Sequence, residues 1–366
     1  MRSRTNSYVA LPVEEHIEAG VHASSTNGTA KGRKIAYSLK NTYIFKRRSF
    51  LMIFSRRRGL ASLFRFTAVL AVCCSLGFAM AQPVKPIKIL VGFPAGGGSD
   101  AAARILAEKL KDELGVAVIV ENKPGAGGQI AAQALKAAVA DGSTLFLSHD
   151  HTITILPMVL KNPGYAPAQD FVAVAGFATF VNAFAVSGGT PAKSFAEYVA
   201  WVKTRDSKGA VGIPAPASTP EFLVKVIGEK FKLDLLSAPY RGSAPMMADM
   251  LGNQIGAGVA SVPDFIENHK AGKVRIVAVL GAKRQAALPD VPTFSELGVS
   301  GLEDMPYYGI FAPAGTPKVF IDTFSNALAK VLTQPEVRNH LSQMGLTVSY
   351  MTSSQLAQRE KAYSQA

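Results

Sequence analysis

The stretch Gly92-Phe93-Pro94-Ala95-Gly96-Gly97-Gly98-Ser99-Asp100 is where this chain concentrates chemistry. It follows the apolar run 86–91 and opens a helical pattern. Gly92, Gly97, Gly98 and Ser99 approach the phosphate-loop pattern G-x-x-x-x-G-K followed by Ser or Thr. Gly96, Gly98 and Ala101 also satisfy the dinucleotide fingerprint, G-x-G-x-x-G or Ala. The lysine is missing, and Asp100 stands where phosphates would come. What remains is a turn that bares backbone N–H groups beside the positive end of a helix dipole. Glycines remove the side chains that would block approach. Such a turn is under-charged for a triphosphate and adequate for one carboxylate, held directly or through ordered water.

Other polar clusters fall in loops that follow apolar runs. Ser148, His149, Asp150 and His151 end a strand-like segment, and His149 is expected to line a cleft. H-x-H could bind a metal, but no third ligand stands at a suitable spacing, so no metal is expected. In Tyr240-Arg241-Gly242-Ser243, Tyr240 could close over a ligand and Gly242 serves the turn. Arg241 is the charged donor able to make a two-pronged carboxylate contact, or else a solvated rim residue. Asp264 follows another strand and either touches the ligand or caps a helix. Ser99 and Asp100 carry the same capping alternative.

These loops need a scaffold. Runs 86–93, 116–122 and 143–148 read as strands, alternating with helical patterns 99–114 and 128–140. Ala102, Ile105, Leu106, Leu110 and Leu114 share one helical face, and Gly115 is the stop. This β-α-β-α-β order predicts a doubly wound α/β fold with mostly parallel sheets and helices on both faces. Ligands of such sheets bind beyond the carboxyl ends of the strands. The long apolar run 172–186 reads as one strand leaving the first domain. A second α/β set follows, with helices 194–205, 220–231 and 245–252 and a strand in 273–284. Hinges are expected near 184–188 and 284–292.

The net charge of +13 over 366 residues suggests nucleic acid until its distribution is read. Residues 1–81 hold 13 of the 39 Lys+Arg and 3 of the 26 Asp+Glu. Residues 82–366 keep 26 and 23, a net of +3, with no basic stripe for a nucleic acid. Arg56-Arg57-Arg58, an apolar stretch from Phe66 to Phe78, and Ala79-Met80-Ala81 read as a signal peptide over 52–81, cleaved before Gln82. Arg47-Arg48 leaves Sec and twin-arginine export both open. Met52 is the expected start, with 1–51 a mis-annotated or disordered extension. Both cysteines, Cys73 and Cys74, lie in the signal, so the exported protein has no thiol chemistry.

Five segments together resemble the extracytoplasmic receptors of tripartite tricarboxylate transporters, the Bug proteins: KPIKILVGFPAGGGSDAAAR, VIVENKPGAGGQIAAQALKAAVADGSTL, PYRGSAPMMADMLGNQI, LPDVPTFSELG and FAPAGTPK. The resemblance implies a two-lobed periplasmic binding protein of the second type, with lobe 1 over 82–185 and 292–366 and lobe 2 over 186–291. It implies a monomeric periplasmic receptor, not an enzyme, that hands a small organic acid to membrane permease subunits and uses no cofactor. Carried over from the family, the ligand carboxylate meets Phe93, Ala95, Gly97, Gly98, Ser99 and Asp100. The segment PAPASTPEF resembles the family's opposite-lobe loop, G-x-G-S-x-x-H, and adds Ala217, Ser218 and Thr219. Glu221 stands there where His is common, and a charge on a helix's first turn is its other reading.

Two other functions compete. A receptor of an ABC-type importer would share the fold, and the neighbouring permease genes separate the two. A Rossmann-type NAD enzyme would use Glu121 on the ribose. Asp100 would repel its pyrophosphate, export removes it from nicotinamide pools, and no acid/base pair stands out. Hydrolase signatures such as G-x-S-x-G and H-E-x-x-H are absent.

Overall fold

A computed structural model describes residues 85–204, 209–303 and 305–365. The expected signal peptide, the cleavage point and the 1–51 extension lie outside the described residues.

Two sheets carry the fold. The first is built from β1 (Ile87–Val91), β2 (Val118–Asn122), β3 (Thr144–His149), β4 (Phe171–Thr179), β10 (Tyr307–Pro313) and β11 (Thr347–Met351), in the order β11-β4-β10-β3-β1-β2. The second contains β5 (Asn182–Ser187), β6 (Gly209–Ile213), β7 (Leu235–Pro239), β8 (Ala257–Ser261) and β9 (Val274–Val279), in the order β7-β6-β8-β5-β9. β1 pairs in parallel with β2 and β3, and β6 with β7 and β8. The reversed members are β10, set between β3 and β4, β11 at the edge beside β4, and β5, set between β8 and β9. β10 and β5 are the strands on which the chain enters one sheet from the other, so the expected α/β fold holds with these three reversals.

Burial explains the local choices. Ile89 and Val91 on one face of β1 and Leu90 on the other are all buried, as a strand covered on both faces requires. The helix Gly98–Leu114 turns Ala102, Leu106 and Leu110 onto that sheet. It stops at Gly115, whose left-handed φ of 67° suits glycine. The second sheet packs Phe184, Val211 and Val259 against Phe195, Leu223 and Ile227.

The apolar run 172–186 is two strands rather than one. β4 ends at Thr179, and β5 starts at Asn182 in the other sheet. Apolar continuity carries no signal for this break, because both pieces are buried in their own cores. Residues 184–187 lie inside β5, bonded on both sides, so the chain crosses at Phe180–Val181. Its return also comes later than 284–292. Leu288 and Val291 pack with one second-sheet cluster, Phe294 and Val299 with another, and Val279 bridges Thr293.

Candidate functional site

The carboxyl ends of the parallel strands face one another, and a cavity of about 60 Å³ lies between them. Four helices begin at its wall: Gly98–Leu114 from the first sheet, and Thr219–Phe231, Ser243–Leu251 and Val262–Lys270 from the second. Each directs the positive end of its dipole toward the same small volume. Among the described residues no Lys or Arg lines it, while Asp150 and Asp264 do. Any positive potential there therefore comes from the helix ends.

One carboxylate already meets that potential. Asp264 Oδ1 accepts from Gly98 N–H at 2.8 Å and from the Ser243 hydroxyl at 2.5 Å. Its Oδ2 accepts from Ser261 N–H at 3.2 Å and Ser261 Oγ–H at 2.5 Å. Asp264 thus closes the capping box of its own helix, the capping reading of this residue, while also reaching the N-terminus of the first helix. The contact joins the two sheets' sides of the cavity.

Aromatic rings form the other wall. Phe93 stacks on His149 with centroids 5.1 Å apart, and Tyr308 meets His149 edge-on at 5.7 Å and Phe180 at 4.7 Å. Ser99 Oγ and Tyr308 Oη lie 3.2 Å apart. Asp150 faces His149 Nδ1 at 3.3 Å and accepts from Tyr363 Oη–H at 3.0 Å. A π-helical turn, His151–Ile155, places His151 in the lining; such turns cluster at functional sites. His151 is 5% exposed, and neither ring nitrogen has a hydrogen-bond partner. Burial pushes its pKa down to about 4; His149 acts in the same direction and Asp150 against it. His151 is therefore neutral at neutral pH, offering one donor and one acceptor. A buried polar ring without partners is costly unless something completes its hydrogen bonds.

Phe93, Gly97, Gly98, Ser99, His149, Ser218, Thr219 and Asp264 of the expected residues come together here. Ser148 is buried with its hydroxyl unpartnered, outside the lining. Ala95 is exposed. Asp100 is turned into its own ion pair: burial raises its pKa, but Arg104, Gly96 N–H and Asn122 outweigh this and hold it below the usual value. Ala217 lines an adjoining groove. Glu221 accepts from Ala217 N–H at 2.6 Å, and its own N–H is 3.4 Å from the oxygen of the capping Ser218, so it is tied into the first turn of its helix. Tyr240, Arg241 and Gly242 border a second hollow, which shares Phe93 and Pro214 with the cavity; Tyr240 donates to Asp249 at 2.6 Å and Arg241 is exposed. Gly242 has φ +102°, and a Cβ there would overlap Pro94, so glycine is needed for this close approach.

Sequence reading missed His151 as a contact and missed Phe180, Ser243, Ser261 and Tyr308. Ser243 and Ser261 carried a usable signal, a small hydroxyl residue opening a helix after a strand. Phe180 and Tyr308 carried none, since chain crossings bring them in from distant segments. Among the described residues, no group of three or more His, Cys, Asp or Glu is placed to hold a metal. No described helix is long and apolar enough to cross a membrane.

Residues 102–364 match the model of the tripartite tricarboxylate transporter family receptor. A Cupriavidus necator relative, the UPF0065 protein in the gbd 5' region, is 32% identical over 307 residues, spanning 83% of this chain and 92% of its own. The periplasmic binding protein BugD superimposes with a TM-score of 0.73 at 32% identity, over 77% of this chain and 95% of BugD. MatC from Rhodopseudomonas palustris, solved with bound malate, gives a TM-score of 0.71 at 26% identity, over 77% of this chain and 97% of MatC.

Proposed function

The chain belongs to the tripartite tricarboxylate transporter receptor family, and from that premise we propose that it captures a small organic carboxylate between two lobes and delivers it to the membrane permease of such a transporter. The family consists of solute receptors, not enzymes, and the fold is the two-lobed α/β architecture of periplasmic binding proteins of the second type. The lobes we propose are 85–180 with 303–365, and 181–302. Their hinges lie at Phe180–Val181 and just ahead of β10, which starts at Tyr307.

The observation that carries this reading is the convergence of four helix N-termini, from both sheets, on a cavity without a cationic side chain. Backbone dipoles suit a single carboxylate head. Ser99, Ser218, Thr219 and neutral His151 supply directional contacts around it. Donors on both lobes make ligand binding favour the closed state, whereas a ligand touching one lobe would shift nothing. Secretion through a signal peptide ending at Ala81 places the receptor in the periplasm, where it acts as a monomer.

A thermal-shift screen of the purified protein against organic acids tests the reading. A ligand held only by the folded form raises Tm, by about 2.7 kcal/mol of stability at a hundred times its Kd. A Tm raised by one or more carboxylates supports it. A screen in which no acid raises Tm while NADH does would overturn it.

A further inference from the structure

We propose that the ligand is a carboxylate with an extended apolar tail, which leaves the cavity past Ser218 and Thr219 and lies in the groove between Met158-Val159 and Phe222. This rests on the receptor reading and names its substrate class. The inner cavity, about 60 Å³, has room for a head group; sites that enclose whole small molecules run from about 300 to 1,000 Å³. A groove of about 680 Å³ adjoins it, and Ser218 and Thr219 line both spaces. One continuous site therefore has a small, hydrogen-bonding inner end and a large outer end.

The outer end is mostly apolar. Ile155, Met158 and Val159 come from the helical segment that starts at His151, and Phe222 and Leu302 from the opposite side. Met158 is 66% exposed, Val159 53% and Phe222 53%. The core does not need them: Leu223, Val224 and Ile227 already bury the inner face of the Thr219–Phe231 helix, leaving Phe222 on the groove side. Large apolar side chains gathered around a concave surface mark a binding site, and an unbranched thioether adapts to a flexible chain. Among the described residues, Glu221 and Lys225 are the charged side chains lining the groove; Lys225 is exposed and lies 3.9 Å from Glu229. The polar inner end and apolar outer end fit an amphipathic acid better than one charged at both ends.

Calorimetry with acetate, butyrate, hexanoate, octanoate and suberate tests this. From butyrate to octanoate, each methylene is expected to tighten binding about fourfold, equivalent to about 0.8 kcal/mol. Octanoate should bind more tightly than suberate, whose second carboxylate would enter apolar surroundings. Phe222→Asp and Met158→Asp, both at exposed sites, should flatten the series, and Phe222→Ala should reduce its slope. If short acids bind and chain length adds nothing, or suberate matches octanoate, the tail assignment falls while the receptor reading stands. A series that keeps its slope in both aspartate variants also overturns the groove. If no acid binds at all, the receptor reading falls first.

Discussion

Gly98→Ala separates lobe closure from lobe folding. Gly98 is the first residue of its helix and has no positive φ, so alanine suits the backbone there and would stabilise the helix by up to about 1 kcal/mol. The obstacle lies across the cavity. A Cβ at position 98 would stand 2.8 Å from Pro263 Cβ and 3.3 Å from Asp264 Oδ1. Carbon atoms pack at about 3.5–4.0 Å, so the two sides must part by about 1 Å. The Gly98 N–H to Asp264 Oδ1 distance, 2.8 Å in the wild type, then stretches beyond a hydrogen bond. A hydrogen bond to a charged group contributes about 1.5–3 kcal/mol, so ligand affinity should fall about ten- to a hundredfold. Calorimetry with the best ligand of the screen measures the loss, and a thermal melt without ligand checks the fold. The expected result is weaker binding with Tm unchanged or slightly raised. If Gly98→Ala binds as tightly as the wild type, the close approach of Gly98 to Pro263 is not part of the binding state.

Asp264→Ala removes a capping box and the contact to Gly98 together, so it should cost about 1 kcal/mol of stability and raise the radius of gyration in X-ray scattering; an unchanged radius would show that this contact does not hold the unliganded sides together. His151 and Glu360 should give opposite pH slopes. The unfolded state takes up a proton at His151 near pH 6.5 and the folded state only near 4, so this residue's contribution, about 3 kcal/mol at 1.36 kcal/mol per pH unit, is complete above 6.5 and lost as pH falls toward 4. Burial pushes Glu360 up to about 7, so its contribution is present below pH 4.5 and lost as pH rises toward 7. Denaturant melts from pH 4.5 to 7 should show the stability of His151→Gln, relative to the wild type, improving toward low pH and that of Glu360→Gln improving toward high pH; parallel curves would refute both assignments. Arg241→Ala should change the Kd for the same ligand less than twofold, because Arg241 is exposed beside a different hollow; a tenfold loss would move the carboxylate to that loop.

Local chemistry was legible from residues alone. The glycine turn before Ser99, the stop at Gly115 and the helix start after Ser218 follow from short-range patterns that each segment carries itself. The strand and helix alternation likewise announced parallel sheets and placed the loops at one end of them. So did the family resemblance, which covers most of the chain. The break between β4 and β5 was not legible, because a strand entering a second core looks as apolar as one staying in the first.

The sequence by itself thus determined that a glycine turn opens a helix and which helix it begins. Tertiary structure alone decided what faces it. Gly98 and Asp264 are 166 residues apart, and Ser99 and Tyr308 are 209 apart. Such pairs exist because β5 and β10 each enter a sheet from the other side of the molecule, and no local period encodes that crossing. Asp100, adjacent to the turn in sequence, points instead to Arg104 and Asn122, because a buried carboxylate is held where charged and polar donors surround it. Proximity along the chain selected the elements; packing across it selected the side chains that meet.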